Sequence, residues 1–331
     1  MRIKITLSAD KSGIIDFNYQ HQIQAVIYGF LYRSNPDYAQ WLHQQGFVYK
    51  RDKRFKFFVF SGIIFNGKIK SISSNSSNRL NGLNGLNGLN GLDNRNSRNG
   101  FAFDGSANSP FTFSFQIASP VDQFIQHLID GIFREGNEIT LGRQQVIIDR
   151  VETLPDPLNG SNGLNSSNRS NSSNGSNGLS GLNSLNSLNC FLLKPLESPI
   201  FIKKPMPAGQ RDIYLFPGDA GYEELLNQNL LHKFETLYGK PFEGEPVKFN
   251  FQPERLERFE RLKPLKPKVV KSFKIFKNGK ITGEIKGTLQ PFTVTGPNEL
   301  IRIGLECGFG QNNSMGCGYV EVNKDGQDSM V

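Results

Sequence analysis

The sequence predicts an α+β fold in which two βαββαβ units follow one another along the chain. Three observations support this. Strand and helix patterns occur in the same order in both halves, the predicted helices are amphipathic, and the predicted strands are alternating or wholly apolar. This order is that of the ferredoxin-like, or split βαβ, arrangement. At 331 residues the chain is long enough for two such units. We therefore expect two tandem ferredoxin-like (RRM-like) domains.

The first unit begins with the strand RIKITL at residues 2–7, in which polar and apolar side chains alternate. A helix follows over about residues 19–32. Asn35 and Pro36 are the expected cap and first residue of a second, shorter helix. The remaining elements are two strand-like runs, an amphipathic helix and a closing strand, at residues 55–65, 111–119, 120–133 and 143–154.

The second unit repeats this order with one addition. The addition is a β-hairpin whose turn is the sequence KNGK, at residues 277–280. The other predicted elements are two strands, a helix, a strand, a short helix and a final strand, at residues 190–196, 199–204, 221–239, 246–252, 298–308 and 317–322.

Two low-complexity stretches, built almost entirely of Asn, Gly, Ser and a recurring Leu, interrupt this pattern. Such a composition cannot bury enough apolar surface to offset the entropy of ordering the chain, so we predict disordered insertions. We expect an N-terminal domain, a second insertion, a C-terminal domain and a tail, at residues 1–154 (with the first insertion at about 73–100), 155–189, 190–323 and 324–331.

The formal net charge of +8 favours a polyanionic partner, either a nucleic acid or a membrane surface. No apolar run reaches the length of a membrane-spanning helix, and the N-terminus lacks the pattern of a secretory signal. The three cysteines, Cys190, Cys307 and Cys317, are not spaced as a disulfide framework or a zinc site. We expect a cytoplasmic protein that does not bind membranes and has no metal or other cofactor.

Basic residues are concentrated in two segments. Residues 49–58 contain five basic residues and one acid, and residues 248–286 contain twelve basic residues and four acids, with interspersed phenylalanines. Cations on strand faces suit the neutralisation of phosphates, so RNA binding is favoured over a merely solvated surface, although no clear RNP1 motif is present. The predicted RNA-binding side chains are Lys53, Arg54, Lys56, Lys268, Lys271 and Lys274.

Among the four histidines, His43 is the strongest candidate for chemistry. It lies off the apolar side of its short helix, shortly before the first basic segment, and an imidazole can exchange protons near neutral pH. Tyr28 lies off the main apolar stripe of the preceding helix. A packing role stays open for both. Without a metal motif, RNA cleavage would use the 2′-hydroxyl as nucleophile, with a base, an acid and a cation supplied by side chains.

A glycine-rich stretch, CGFGQNNSMGCGYVEV at residues 307–322, lies between the last predicted helix and the last strand. This order is the reverse of a dinucleotide-binding fingerprint. Together with YQHQIQAVIYGFLYRSNPDYAQWLH, at residues 19–43, the stretch resembles the CRISPR-associated endoribonucleases that process precursor CRISPR RNA, members of the repeat-associated RNA-binding superfamily. Its glycines, which we expect to approach either the RNA backbone or the neighbouring domain, are Gly308, Gly310, Gly316 and Gly318.

The resemblance implies a catalytic histidine at His43, a catalytic tyrosine at Tyr28 and a lysine shortly afterwards. Lys50 is nearest the expected spacing, and Lys53 is the alternative. It also implies one metal-independent cut in each repeat, leaving 5′-hydroxyl and 2′,3′-cyclic phosphate ends. The implied partner is CRISPR repeat RNA; further subunits of an interference complex and a homodimer stay open. The alternatives are a non-catalytic repeat-RNA-binding subunit and a general RRM-like RNA-binding protein.

Overall fold

The computed structural model describes eight stretches of the chain: 1–50, 53–72, 99–134, 136–159, 189–207, 212–251, 270–277 and 280–323. Lys268, most of both low-complexity stretches and the tail at 324–331 lie outside the described residues. The description below therefore concerns the two predicted domains and their flanks.

The N-terminal half is built around an antiparallel sheet with helices packed on it. In this sheet β1 lies between β11 and β9, β5 and β6 both pair with β9, and β10 extends the β11 edge. The elements are β1 (Arg2–Ala9), β2 (Gly13–Asp16), α1 (Gln20–Ser34), α2 (Pro36–Gln44), β3 (Phe47–Tyr49), β4 (Lys53–Phe55), β5 (Val59–Phe60), β6 (Ile64–Phe65), β7 (Ile69–Ile72), β8 (Gly100–Phe103), β9 (Phe111–Ala118), α3 (Asp122–Arg134), β10 (Glu138–Leu141) and β11 (Gln144–Thr153).

The C-terminal half contains a four-stranded antiparallel sheet in the order β15-β18-β12-β19. The elements are β12 (Asn189–Pro195), β13 (Ile202–Lys204), β14 (Ile213–Leu215), α4 (Tyr222–Tyr238), β15 (Lys248–Asn250), β16 (Val270–Lys277), β17 (Lys280–Thr288), β18 (Phe292–Gly296), α5 (Asn298–Cys307), a 3₁₀ turn (Asn313–Met315) and β19 (Val320–Val322). In both halves the first strand lies between the third and the last strand of the unit. This shared order confirms the prediction of two tandem ferredoxin-like units.

Two predicted strands are divided in the structure. The run at 55–65 begins with the last residue of β4, Phe55, and then forms β5 and β6. A bulge shifts the register along β9 by one residue between the pairs Val59–Ala118 and Ile64–Ser114. The second arm of the predicted hairpin, KITGEIKGTLQPFTV at residues 280–294, ends at Thr288 in the structure, and Phe292 begins β18 in a different sheet. Pro291 lies between them, and proline cannot donate a main-chain hydrogen bond to a ladder.

The flanks of both low-complexity stretches belong to the fold. Gly100, at the end of the first stretch, pairs with Asp16 and with Ile72 in a three-stranded sheet of β2, β8 and β7. Within the second predicted insertion, 155–189, Asp156 near its start forms a 2.8 Å ion pair with Arg302 of α5. Asn189, its last residue, is the first residue of β12.

Shortening the first insertion is expected to stabilise the protein. Joining Ser73 to Asn99 through Asn-Gly would shrink the connection between the paired residues Ile72 and Gly100 from 27 residues (73–99) to four. The entropic cost of closing this loop on folding then falls, which raises the free energy of unfolding by about 1–2 kcal/mol. Urea unfolding of both proteins measures the difference. A lower midpoint for the shortened chain would show that the insertion itself stabilises the fold.

The two halves are joined by specific side-chain contacts. The guanidinium of Arg2 donates a 2.7 Å hydrogen bond to the carbonyl of Val320 and lies 4.6 Å from the centre of the Tyr319 ring. The Tyr319 hydroxyl in turn donates to Gln116 on β9, at 2.6 Å. Among the described residues, no helix is long and apolar enough to cross a membrane.

Candidate active site

A break between the first two helices determines how they face each other. α1 ends where the backbone N–H of Asn35 donates to the carbonyl of Leu31, and Asn35 itself is extended, at φ −149° and ψ 98°. Its side-chain oxygen accepts a 3.0 Å hydrogen bond from the backbone N–H of Tyr38, and Pro36 begins α2. The predicted cap is confirmed, and it folds α2 back along α1.

Tyr28 and His43 lie at similar distances along the chain from this break, one on each helix. Their ring centroids are 5.1 Å apart and the rings meet edge to face, at 83°. Tyr28 is half-buried, with its ring 5.9 Å from that of Phe58, whereas the His43 side chain is exposed. The structure thus brings together the two side chains that the sequence singled out on separate helices.

The environment of Tyr28 determines what its hydroxyl can do. Desolvation by burial, followed by the neighbouring phenol of Tyr38, raises the pKa of Tyr28 above its usual range. Tyr28 is therefore a neutral phenol near neutral pH. Its hydroxyl can donate a hydrogen bond, but it cannot act as the base.

The ammonium of Lys56 lies at the end of α2. Its Nζ donates to the backbone carbonyls of Leu42 and His43, where the negative end of the helix dipole favours a cation. Desolvation by burial and then the charge of Arg54 lower the pKa of Lys56 to about 8. Sequence reasoning placed Lys56 among the RNA-binding residues, and the structure places it at the backbone of His43.

The amines of the two lysines chosen by spacing contact aromatic rings other than that of His43. Nζ of Lys50 lies 4.7 Å from the centre of the Tyr49 ring, and Nζ of Lys53 lies 3.0 Å from Nδ1 of His232 on α4. Both amines therefore face the contact between the β3–β4 hairpin and the C-terminal half. The lysine nearest to His43 in sequence is not the one whose amine contacts it.

The other predicted RNA-binding side chains have varied surroundings. Arg54 donates to the carbonyl of Gln44 at 3.0 Å, at the end of α2. Lys271 donates to the carboxylate of Glu197 at 3.0 Å. This contact connects the β16–β17 hairpin with the loop that follows β12. The Lys274 side chain is exposed to solvent.

The glycine-rich loop packs against protein. Gly308, Gly310, Gly316 and Gly318 are buried and have φ values of 83°, 74°, 85° and 82°, a region that favours glycine. A Cβ on Gly316 would lie 2.7 Å from the ring of Phe60 on β5 of the N-terminal half. Gly308 also approaches this half, at Val59, whereas Gly310 and Gly318 approach main-chain atoms of their own half, at Phe201 and Phe309.

Sequence reasoning missed Lys233 on α4, which holds this loop. Its side chain is 1% exposed, and its Nζ donates to the carbonyls of Gly308 and Gly310 at 2.6 and 2.9 Å. Burial lowers the pKa of Lys233 to about 7. The signal was present in the sequence, because Lys233 continues the apolar helix stripe of Leu226 and Leu230.

The site around His43 combines an exposed imidazole, a neutral phenol and an ammonium. This set can accept a proton from a substrate, donate a hydrogen bond to it and balance negative charge that develops in it. Among the described side chains, no group of three or more His, Cys, Asp and Glu residues is arranged to hold a metal ion.

Two sequence families match the chain in succession. Residues 14–82 match "CRISPR-associated protein Cas6, N-terminal", and residues 186–322 match "CRISPR associated protein Cas6, C-terminal". A full-length relative is the CRISPR-associated endoribonuclease Cas6 1 of Methanocaldococcus jannaschii. It is 25% identical over 328 residues, which cover 97% of this chain and 92% of the relative.

Solved structures share the fold over nearly the whole chain. A Cas6-related protein from Pyrococcus furiosus superposes with a TM-score of 0.63 at 17% identity, covering 98% of this chain and 99% of that one. A structure described as a RAMP protein that binds different RNA substrates gives a TM-score of 0.62 at 16% identity, covering 98% and 100%. These similarities show that the fold of the chain as a whole, and not only of each half, is shared with known structures.

Proposed function

With the N-terminal and C-terminal domains of Cas6 in order along it, the chain belongs to the Cas6 family of CRISPR-associated proteins, and we propose that it is an endoribonuclease that processes CRISPR RNA. The Methanocaldococcus jannaschii relative is named an endoribonuclease, and this name supports the proposed activity. The observation that carries the proposal is the pairing of Tyr28 with His43 beside the ammonium of Lys56.

The proposed reaction is transesterification within the RNA backbone, without a metal ion. The 2′-oxygen attacks the adjacent phosphorus as His43 takes its proton, and the bond from phosphorus to the 5′-oxygen breaks. The products are a 2′,3′-cyclic phosphate and a 5′-hydroxyl, whose proton comes from an acid at the site. Tyr28 donates a hydrogen bond to the phosphate, because its phenol stays neutral.

The cation of this reaction can be assigned in two ways. Spacing along the sequence selects Lys50, or Lys53 as the alternative. The contact with the His43 carbonyl instead supports Lys56. Because the pKa of Lys56 is lowered to about 8, Lys56 could also give up a proton to the leaving 5′-oxygen more readily than an ordinary lysine. We propose Lys56 as the lysine that acts with His43.

Repeat RNA incubated with the protein in EDTA is expected to be cut at one position in each repeat. A repeat with a single 2′-deoxy substitution at that position should bind but stay intact, because the nucleophile is missing. Gel analysis of end-labelled RNA, with phosphatase and kinase treatment to identify the ends, measures both results.

Two outcomes would contradict the proposal. Cleavage that requires a divalent ion, or that persists on the 2′-deoxy repeat, would exclude attack by the 2′-hydroxyl. Tight, salt-sensitive binding of unmodified repeat RNA without any cleavage would instead identify a non-catalytic repeat-RNA-binding subunit.

A further inference from the structure

The β3–β4 hairpin, whose paired strands are residues 47–49 and 53–55, connects the candidate active site with the C-terminal half. At one side, Arg54 and the following Lys56 contact the carbonyls at the end of α2. At the other side, Lys53 contacts His232 of α4. The buried rings of Tyr49 and Phe55 also pack in the core of the C-terminal half.

A cluster of polar side chains forms where this hairpin meets α4. The rings of Tyr49 and His232 are stacked, with centroids 4.2 Å apart and planes at 25°. Lys53 lies 3.0 Å from Nδ1 of His232, and Lys50 lies 4.7 Å from the centre of the Tyr49 ring. The Tyr49 hydroxyl donates to Glu235 at 3.0 Å. We refer to these five residues as the hairpin–α4 cluster.

The hydrogen bond between Lys53 and His232 fixes the proton on the imidazole. An ammonium has only donors, so Nδ1 of His232 must accept, and the neutral ring carries its hydrogen on Nε2. His232 is half-buried, and its Nε2–H can donate a hydrogen bond to an incoming acceptor.

The positive charge in the cluster is incompletely balanced. Glu235 brings one negative charge against the two ammoniums of Lys50 and Lys53, and among the described residues no carboxylate forms an ion pair with either lysine. Burial lowers the pKa of Lys53, and burial followed by the charges of Lys53 and Lys50 lowers that of His232. An anion placed here would relieve both effects.

We propose that the hairpin–α4 cluster binds a backbone phosphate of the RNA through the amines of Lys50 and Lys53 and Nε2–H of His232. The proposal rests on the proposed function and adds a contact from the second domain. A phosphate fits better than a base, because Tyr49 is only 8% exposed and one face of its ring is covered by His232. The contact would fix the RNA relative to the end of α2, and so relative to His43.

The same geometry gives the binding a defined pH dependence. The groups that face His232 are Lys50, Lys53, Tyr49 and Glu235. Burial, followed by the charges of Lys53 and Lys50, holds the pKa of His232 below the usual 6.5, and the charge of Glu235 acts in the opposite direction. A bound phosphate stabilises the protonated ring and raises that pKa. Affinity therefore increases as the pH falls through the interval between the two pKa values, and this gain is absent well above it.

Binding is measured by fluorescence anisotropy with the 2′-deoxy repeat, so that cleavage plays no part. Lys53→Met is expected to weaken binding about tenfold, the effect of one charge-assisted hydrogen bond, and to lower the slope of log affinity against log salt by about one. Lys53→Arg should restore both values. His232→Gln should bind normally at pH 8 but lose the gain of about threefold or more that the wild type shows at pH 5.5.

Lys70→Met is the matched control, because Lys70 is exposed on β7, in a different sheet. If Lys53→Met and Lys70→Met have the same affinity and salt slope, the phosphate site is excluded. Equal pH dependence in the wild type and His232→Gln would remove His232 from it. Failure of the wild type to bind repeat RNA would instead overturn the proposed function, so the two failures are distinguishable.

Discussion

His43→Ala is expected to reduce the rate of repeat-RNA cleavage by about 10²–10⁴-fold, the range that general acid–base catalysis contributes. Binding of the 2′-deoxy repeat should be unchanged. The His43 side chain is exposed, so its removal takes away the proton acceptor and the ring contact with Tyr28 but leaves the buried core in place. Single-turnover cleavage and anisotropy measure the two quantities separately.

His21→Ala is the matched control, since His21 is also exposed but lies at the start of α1, two turns before Tyr28. The lysine assignment is tested in the same assay. Lys56→Ala should lose far more cleavage than Lys50→Ala if the contact with the His43 carbonyl identifies the cation. Full activity of His43→Ala would contradict its proposed role, and a larger loss in Lys50→Ala would restore the assignment from spacing.

Gly318→Ala is expected to lower the free energy of unfolding by about 3–5 kcal/mol. One part of this is the cost of a side chain at φ 82°, and the other is overlap of the new Cβ with the main-chain carbonyl oxygen of Phe309. Phe309 also donates a 2.9 Å backbone hydrogen bond to Gly318, so neither segment can move without breaking it. Urea unfolding measures the loss.

Gly239→Ala separates these two causes. Gly239 ends α4 at φ 71°, but nothing lies within 4 Å of the position of its Cβ. We expect a loss of about 1 kcal/mol, from backbone conformation alone. Equal losses in the two variants would show that the close approach in the glycine-rich loop contributes nothing to stability.

Much of the fold was predictable because periodicity reports local structure directly. The amphipathic helices and the cap at Asn35 appear in the structure where the sequence places them. The family resemblance, not the periodicity, assigned Tyr28 and His43 to one active site, and in the structure each lies about two helical turns from the same break. The continuous strand expected at 55–65 is interrupted in the structure. The interruption could not be predicted locally, because the position of a bulge depends on the partner strand, β9.

The details of the site depend on contacts between elements, and a single sequence does not encode these visibly. Spacing favoured Lys50, but in the structure Lys53 contacts His232 of α4 and Lys56 contacts the His43 carbonyl at the end of α2. The burial of Lys233 likewise depends on the glycine-rich loop, whose carbonyls it holds. Such residues become recognisable when a charged side chain occupies an apolar helix stripe.

The direct pairing of Ile72 with Gly100 has a consequence for how this gene can vary. The last residue of β7 is paired directly with the first residue of β8, so the register of the two strands does not depend on the number of residues between them. The intervening segment contains the tandem triplet Asn-Gly-Leu. Replication slippage in these codons would lengthen or shorten the protein in steps of three residues while the reading frame and the strand pairing are preserved.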